Sequence, residues 1–326
     1  MHILVTGAAG MIGGKLVARL ARDGALDGRP VAALTLVDAV APSDSAGAIP
    51  AKRITADLSQ PGEAERAVAE RPDVIFHLAA VVSGEAEEDF AKGYRVNLDG
   101  SRALLEAVRR IGGGWRPKLV FTSSIAVFGA PFPDAIPDDF HPTPLTSYGT
   151  QKAMIEHLLA DYSHRGFVDG IALRLPAITV RPGKPNRAAA GFFSGIVREP
   201  LAGAEAVLPV ADDVLHTHAS PRAAVEFLVH AAGLPRERIG PRIALNMPGV
   251  CCTVAEQIEA LRRAAGDAAV ARIRRERDPR IESIVANWPR RFDPRRALAL
   301  GFRAEESFDE IIRAYIEDDL GGRLPA

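Results

Sequence analysis

His2-Ile3-Leu4-Val5-Thr6-Gly7-Ala8-Ala9-Gly10-Met11-Ile12-Gly13 is the stretch that decides the fold. Its opening is a short apolar run ending at glycine, which reads as a buried strand. Ile12, Leu16, Val17 and Leu20 then share one helical face. Three glycines at G-x-x-G-x-x-G spacing therefore occupy a strand–turn–helix setting. Glycine there permits a tight turn and lets backbone N–H groups approach a pyrophosphate at the positive end of a helix. Gly7, Gly10, Met11, Ile12 and Gly13 form the candidate cradle. A glycine triplet alone is a weak signal; this setting gives it weight.

Working outward, Leu34-Thr35-Leu36-Val37 reads as a second strand ending at Asp38. A carboxylate at that strand end accepts hydrogen bonds from an adenosine ribose and repels a 2′-phosphate, so NAD is expected rather than NADP. Asp73 to Ala80 reads as a strand running into a loop, and Lys118 to Ser123 as the next strand. Between them Leu104, Leu105, Val108 and Ile111 form a helical stripe closed by Gly112-Gly113-Gly114. Near-continuous apolar strands alternating with helices predict a doubly wound parallel α/β sheet of Rossmann type, covered on both faces.

Composition agrees. The 326 residues are 47 % hydrophobic and 25 % charged, as in an ordinary globular chain. Lysine plus arginine is 40 and aspartate plus glutamate 41, a net charge of −1, which argues against a general nucleic-acid binder. The two cysteines, Cys251 and Cys252, are adjacent and staple no loop. No secretory leader is expected from the opening residues, and no apolar run approaches the ~20 residues of a membrane helix. A cytoplasmic protein with no membrane partner is expected.

The second half is less regular. Ala172 to Ile178 reads as a strand, Ala190 to Leu201 as a mobile or substrate-covering segment, Arg222 to Ala232 as a helix and Ile243 to Asn246 as a short strand. Thr253 with Glu256 has the pattern of a capping box. Arg272 to Arg277 reads as a solvated helix face and Phe308 to Leu320 as a final amphipathic helix. The expected domains are discontinuous: 1–175 and 212–247 bind the nucleotide, while 176–211 and 248–326 form a smaller substrate domain.

Tyr148-Gly149-Thr150-Gln151-Lys152 puts a tyrosine and a lysine four apart on one helical face. Free tyrosine, with a pKa of about 10, is a poor base at neutral pH. A nearby ammonium favours its phenolate, which can take a proton from a hydroxyl as hydride leaves the carbon. Thr122-Ser123-Ser124 ends a buried strand, at the sheet edge where ligands bind, so Ser124 is placed to hold the substrate oxygen.

The chain resembles the extended short-chain dehydrogenase/reductases, which include nucleotide-sugar epimerases and dehydratases. The resemblance rests on Thr6-Gly7-x-x-Gly10-x-x-Gly13, Asp57-Leu58, His77-Leu78-Ala79-Ala80, Asn97-Leu98-Asp99-Gly100, Ser123-Ser124-x-x-Val127-Phe128-Gly129 and Tyr148-x-x-x-Lys152. Phe292 to Ala297 and Leu300-Gly301-Phe302 extend it towards the C-terminus. It implies that Ser124 and Tyr148 are catalytic and that Lys152 holds the nicotinamide ribose. Asp38 takes the adenosine ribose, Asp57 and Leu58 flank adenine, and Ala79 and Asn97 line the cofactor. Ser123, Pro176 and Ile178 complete the expected cofactor contacts, with Tyr148 and Lys152. A homodimer is also implied.

Further segments are similar to a branch of the family that oxidises the C2 hydroxyl of a four-carbon sugar acid with NAD. They are Val81 to Glu87, His141 to Tyr148, Arg174-Leu175-Pro176, Val180 to Asn186 and Arg198 to Leu201. Two rivals stand beside it: a nucleotide-sugar epimerase or dehydratase that recycles its NAD, and a non-enzymatic NAD sensor. Phe128 replaces the tyrosine common in the family, and no obvious acidic residue follows Ser124, as the dehydratase branch would require.

A small carboxylate is best held by an arginine with neutral donors. Arg174, Arg181, Lys184, Arg187 and Arg198 are candidates, of which Arg181, with Asn186, is favoured. Ser83 is expected to contact a substrate hydroxyl, together with Ser124 and Tyr148. His216-Thr217-His218 places two histidines on one strand face without a third ligand, so no metal is expected.

Overall fold

A computed structural model of the chain describes residues 1–183 and 190–324. Contacts divide it into two compact units. The first is Met1–Val127, Pro144–Arg174 and Val225–Leu245; the second is Phe128–Thr143, Leu175–Ala224 and Asn246–Ala326.

Ten strands organise the description: β1 (His2–Thr6), β2 (Ala33–Asp38), β3 (Ala51–Thr55), β4 (Val74–His77), β5 (Lys118–Ser124), β6 (Asp169–Leu175), β7 (Ala177–Ile178), β8 (Leu215–Ala219), β9 (Ala244–Asn246) and β10 (Val250–Thr253). Seven helices matter with them: α1 (Met11–Asp23), α2 (Gly100–Ile111), α3 (Ser147–His164), α4 (Gly191–Leu201), α5 (Pro221–Gly233), α6 (Val254–Val270) and α7 (Phe308–Asp319).

Among the described residues the first unit is built on a seven-stranded sheet in the order β9-β6-β5-β4-β1-β2-β3. The pairings of β1 with β2 and β4, of β2 with β3 and of β4 with β5 are parallel. Ile3, Leu4, Val5, Ile75, Phe76 and Val120 are wholly buried. Both faces are covered, and the strands are apolar along their length for that reason. Leu16, Val17 and Leu20 turn the buried face of α1 inward, and Leu104, Leu105 and Val108 that of α2. Thr6 lies in register with Val37 on one side and His77 on the other, and His77 with Phe121. The carboxyl ends of β1, β2, β4 and β5 therefore reach one edge, the edge where sheets of this kind bind ligands.

In the second unit β8 is the middle strand of a small sheet, parallel to β7 and antiparallel to β10. Its core packs Phe193, Ile196 and Val197 of α4 with Ile258 and Leu261 of α6 and Ile311 and Ile312 of α7. The predicted capping box is present: Thr253 Oγ1 accepts from Glu256 N at 3.2 Å, and Thr253 N donates to Glu256 Oε2 at 2.6 Å.

Three sequence expectations change. Ala190 to Leu201, read as a mobile or substrate-covering segment, contains the helix α4, whose Phe193, Ile196 and Val197 are buried core, so the first of those two readings changes. Arg272 to Arg277, read as a helix face, contains the strand Ile273–Arg275, paired with Ala206–Leu208 and burying only Ile273. The compact units differ from the sequence-based boundaries at 128–143, 175, 212–224 and 246–247, which join the second unit. The reason is pairing: β8 bonds to β7 and β10, and Ile136–Pro137 bonds to Phe292–Asp293. Among the described residues no helix is long and apolar enough to cross a membrane.

Candidate active site

The loop after β1 is made by its glycines. Gly7 has φ +74°, and a Cβ there would sit 2.7 Å from the backbone of Leu78 and Ala79. A Cβ on Gly13 would stand 2.1 Å from the Gly7 carbonyl oxygen, and one on Gly10 would stand 3.2 Å from it. Gly7 N and Ala8 N both donate to Val37 O, at 2.8 and 3.2 Å, which folds the loop back onto β2. Gly10 is the N-cap of α1, and no side chain caps the first turn, where Met11, Ile12 and Gly13 follow. Uncapped N–H groups behind a loop of glycine and alanine alone are what a pyrophosphate requires.

Asp38 ends β2 beside that loop. Its Oδ2 accepts from Ala9 N at 2.9 Å and its Oδ1 from Val40 N at 3.2 Å, so the carboxylate is aimed by backbone donors. Asp57 makes a turn of its own: Oδ1 accepts from Ser59 N at 2.9 Å and Ser59 Oγ at 2.7 Å. Leu58 beside it is buried. The residues fit a dinucleotide.

Under this edge runs a buried chain of hydrogen bonds. Ala79 N donates to Thr6 Oγ1 at 3.3 Å, and Thr6 Oγ1 lies 2.7 Å from His77 Nδ1. His77 Nε2 lies 2.8 Å from Ser101 Oγ, which donates to Asn97 O at 2.5 Å. The Asn97 side chain accepts from Val81 N at 2.8 Å and donates to Gln151 Oε1 at 2.7 Å. Asn97 belongs to a π-helical turn, Tyr94–Asp99, that leads into α2. Such turns recur at functional sites. Burial, aided by the charge of Lys152, holds the His77 imidazole down to about 3, so the ring is neutral.

Ser124 ends β5, and its Oγ accepts from Ala126 N at 3.1 Å. Thr146 caps α3 by accepting from Gly149 N, and Glu87 accepts from Tyr148 N, both at 3.0 Å. A Cβ on Gly149 would be 2.0 Å from the Ala126 carbonyl oxygen. Only glycine therefore lets the first turn of α3 approach the segment following Ser124. Lys152 is buried; its Nζ donates to Thr122 O at 2.8 Å and lies 4.7 Å from the Phe121 ring centre and 5.6 Å from that of Tyr148. Burial draws its ammonium down to about 7 against the opposing pull of Glu156. The first unit thus brings together the glycine loop, Asp38, Ala79, Asn97, Ser123, Ser124, Tyr148 and Lys152. Ser83 opens the short helix Ser83–Glu88 and is half-buried.

In the second unit Pro176 and Ile178 are buried, and Arg181 follows three residues after Ile178. Arg181 Nε donates to Ile178 O at 3.1 Å. Asn186, Lys184 and Arg187 lie outside the described residues. Arg174 and Arg198, weighed above as carboxylate ligands, are engaged within the fold. Arg174 pairs with buried Glu156 at 2.8 Å, and Arg198 with Glu199 at 2.5 Å. Phe128 packs its ring on Phe140 and Phe292, with centroids 5.9 and 6.1 Å away. His216 and His218 are buried and close to Phe193 of α4. Among the described residues no group of side chains could hold a metal ion.

Sequence reading missed Gln151, Glu156, Ser101 and Glu87. Gln151 and Glu156 are polar residues buried on α3, next to and four residues beyond Lys152.

Comparison with known proteins agrees with this geometry. Residues 3–218 match the NAD dependent epimerase/dehydratase family, and the chain belongs to it. It is 52 % identical over 322 residues, 98 % of each chain, to the D-erythronate dehydrogenase of Cupriavidus necator. It is 39 % identical over 320 residues to the D-erythronate dehydrogenase of Haemophilus influenzae, covering 98 % of this chain and all of that one. A crystal structure described as a nucleoside-diphosphate-sugar epimerase from Agrobacterium tumefaciens superposes with a TM-score of 0.97. It shares 60 % identity and covers 100 % of this chain and 96 % of that one.

Proposed function

We propose that the chain oxidises D-erythronate at its C2 hydroxyl to the 2-oxo acid, with NAD as hydride acceptor. The observation that carries this reading is the 52 % identity to a D-erythronate dehydrogenase over 98 % of both chains. Gly7, Gly10, Met11, Ile12 and Gly13 take the pyrophosphate and Asp38 the adenosine ribose. Asp57 and Leu58 flank adenine, while Ala79, Asn97, Ser123, Pro176 and Ile178 line the remainder.

NAD, when bound, supplies the hydride acceptor. Tyr148 accepts the proton of the substrate hydroxyl, and Ser124 holds that oxygen. Lys152 anchors the ribose and, as a cation, favours the Tyr148 phenolate. General base catalysis of this kind contributes about 10²–10⁴ in rate. Ser83, Arg181 and Asn186 are assigned to the sugar acid, Arg181 to its carboxylate.

The description of the Agrobacterium tumefaciens structure favours a second reading, a nucleotide-sugar epimerase. Such an enzyme returns the hydride to its substrate and accumulates no NADH. The test is therefore NADH absorbance with purified protein, NAD and a panel of aldonic acids that includes D-erythronate and L-threonate. Steady NADH formation with D-erythronate is expected. No signal with any acid, with NAD copurifying, would sink the dehydrogenase reading in favour of the epimerase.

We also place the enzyme in the reducing cytoplasm as a homodimer. The free thiols of Cys251 and Cys252 support the compartment, and family resemblance supports the dimer. Cell fractionation and light scattering test the two statements.

A further inference from the structure

Lys152 and Glu156 are four residues apart on α3, so their side chains share one face. Both are almost wholly buried, at 2 % and 4 % exposure. The Glu156 carboxylate is saturated with donors from two strands. Ser123 Oγ of β5 donates to Oε1 at 2.5 Å. Arg174 of β6 donates through Nε at 3.0 and 3.2 Å and through Nη2 at 2.8 Å. Ser123 is the immediate neighbour of Ser124.

A buried ion pair is a poor way to add stability, because an apolar pair of the same volume often does as well or better. The position of this one suggests a different use. The groups facing Lys152 come from three elements. β4 contributes the neutral His77, and β5 contributes the Phe121 ring and the Thr122 carbonyl oxygen. α3 itself contributes Tyr148 and Glu156, with Arg174 of β6 bound to the latter. The carboxylate in this set is that of Glu156.

We propose that Glu156 is a positioning residue that keeps Lys152 charged while Tyr148 acts as base, with Arg174 and Ser123 holding its carboxylate in place. The proposal rests on the roles given above to Tyr148 and Lys152. Its physical content is a competition. Burial and the positive nicotinamide both drive the ammonium towards its neutral form, and one carboxylate on the same helical face opposes them. The direction of the Lys152 shift and its two opposing causes agree with this. Arg174 and Ser123 keep that carboxylate from turning away.

The test reads the lysine directly. The chain has six lysines, so isotope-labelled lysine gives a resolvable NMR titration, with Lys152 assigned by Lys152→Met. In the protein with NAD, Glu156→Gln is expected to lower the Lys152 midpoint by about one pH unit, a tenfold change in its protonation constant. Glu156→Asp, which keeps the charge, is expected to restore most of it. The alkaline limb of the kcat profile should move with the midpoint. An unchanged Lys152 midpoint in folded Glu156→Gln would overturn the proposal. If that variant fails to fold, Glu156→Gln combined with Arg174→Gln removes the stranded guanidinium, and the same sign of shift is required. The titration needs no substrate, so a lowered midpoint in a protein that turns over no sugar acid would count against the substrate alone.

Discussion

Arg198 donates from Nη1 to the backbone carbonyl oxygen of Arg181 at 2.7 Å. One turn earlier on α4, Ser194 Oγ accepts the Arg181 N–H at 3.1 Å. The peptide groups on both sides of Arg181 are thus fixed by one face of a buried helix. Arg198→Ala is expected to raise KM for the sugar acid tenfold or more, because a contact to a charged group is worth roughly 1.5–3 kcal/mol. KM for NAD should be unchanged. Steady-state kinetics with each substrate varied checks this, and an unchanged sugar-acid KM would remove Arg181 from the substrate contacts.

Tyr148→Phe removes the proposed proton acceptor and leaves the ring. Turnover should fall by about 10²–10⁴, the usual worth of general base catalysis. NAD affinity, measured by calorimetry, should change by less than about threefold. A variant turning over at the normal rate would exclude Tyr148 as base.

Adjacent glycines in α1 should behave in opposite ways. A Cβ on Gly13 would collide with the Gly7 carbonyl oxygen at 2.1 Å, whereas a Cβ on Gly14 meets nothing within 4 Å. Gly14→Ala should therefore stabilise the protein by about 0.5–1 kcal/mol, the helix preference of alanine over glycine. Gly13→Ala should lower Tm and abolish NAD binding. Thermal melts with and without NAD separate the two.

Three buried histidines should make the fold acid-sensitive. Burial is the first cause in each: His77 is lowered to about 3, His216 to about 4 and His218 well below its usual range. Unfolded, each takes a proton near 6.5 that the folded protein refuses. Stability is then greatest above pH 6.5 and falls as pH drops towards the folded values. Each such histidine adds one proton, about 1.4 kcal/mol per pH unit, to the slope. His77→Asn should reduce the slope between pH 6.5 and 4.5 by one proton, read from urea unfolding. Parallel curves for the two proteins would show that His77 titrates in the fold.

The glycine turn, Asp38 and the Tyr148–Lys152 pair were legible in the sequence because each is local: fixed spacing, one strand or one helix face. The helix α4 was not. Gly191, Gly195 and Pro200 lower its intrinsic propensity, and it is held by the burial of Phe193, Ile196 and Val197. The exposed edge strand β3 buries Ile54 alone, so it offered no apolar run to read. The network beneath the site was also hidden. Glu156 meets Arg174 and Ser123, and Asn97 meets Gln151, across separate elements that no spacing rule joins.

The chain of hydrogen bonds through His77 can be directed atom by atom. Ser101 spends its hydroxyl proton on Asn97 O, so it accepts from His77 Nε2–H, and Nδ1 in turn accepts from Thr6. Thr6 accepts from the amide of Ala79. One end of this wire is therefore a peptide N–H and the other a peptide carbonyl, neither of which exchanges a proton on the timescale of turnover. With the imidazole neutral, the line conducts nothing. A proton released at the sheet edge therefore finds no way out along this line, and any relay that serves the site has to bypass His77.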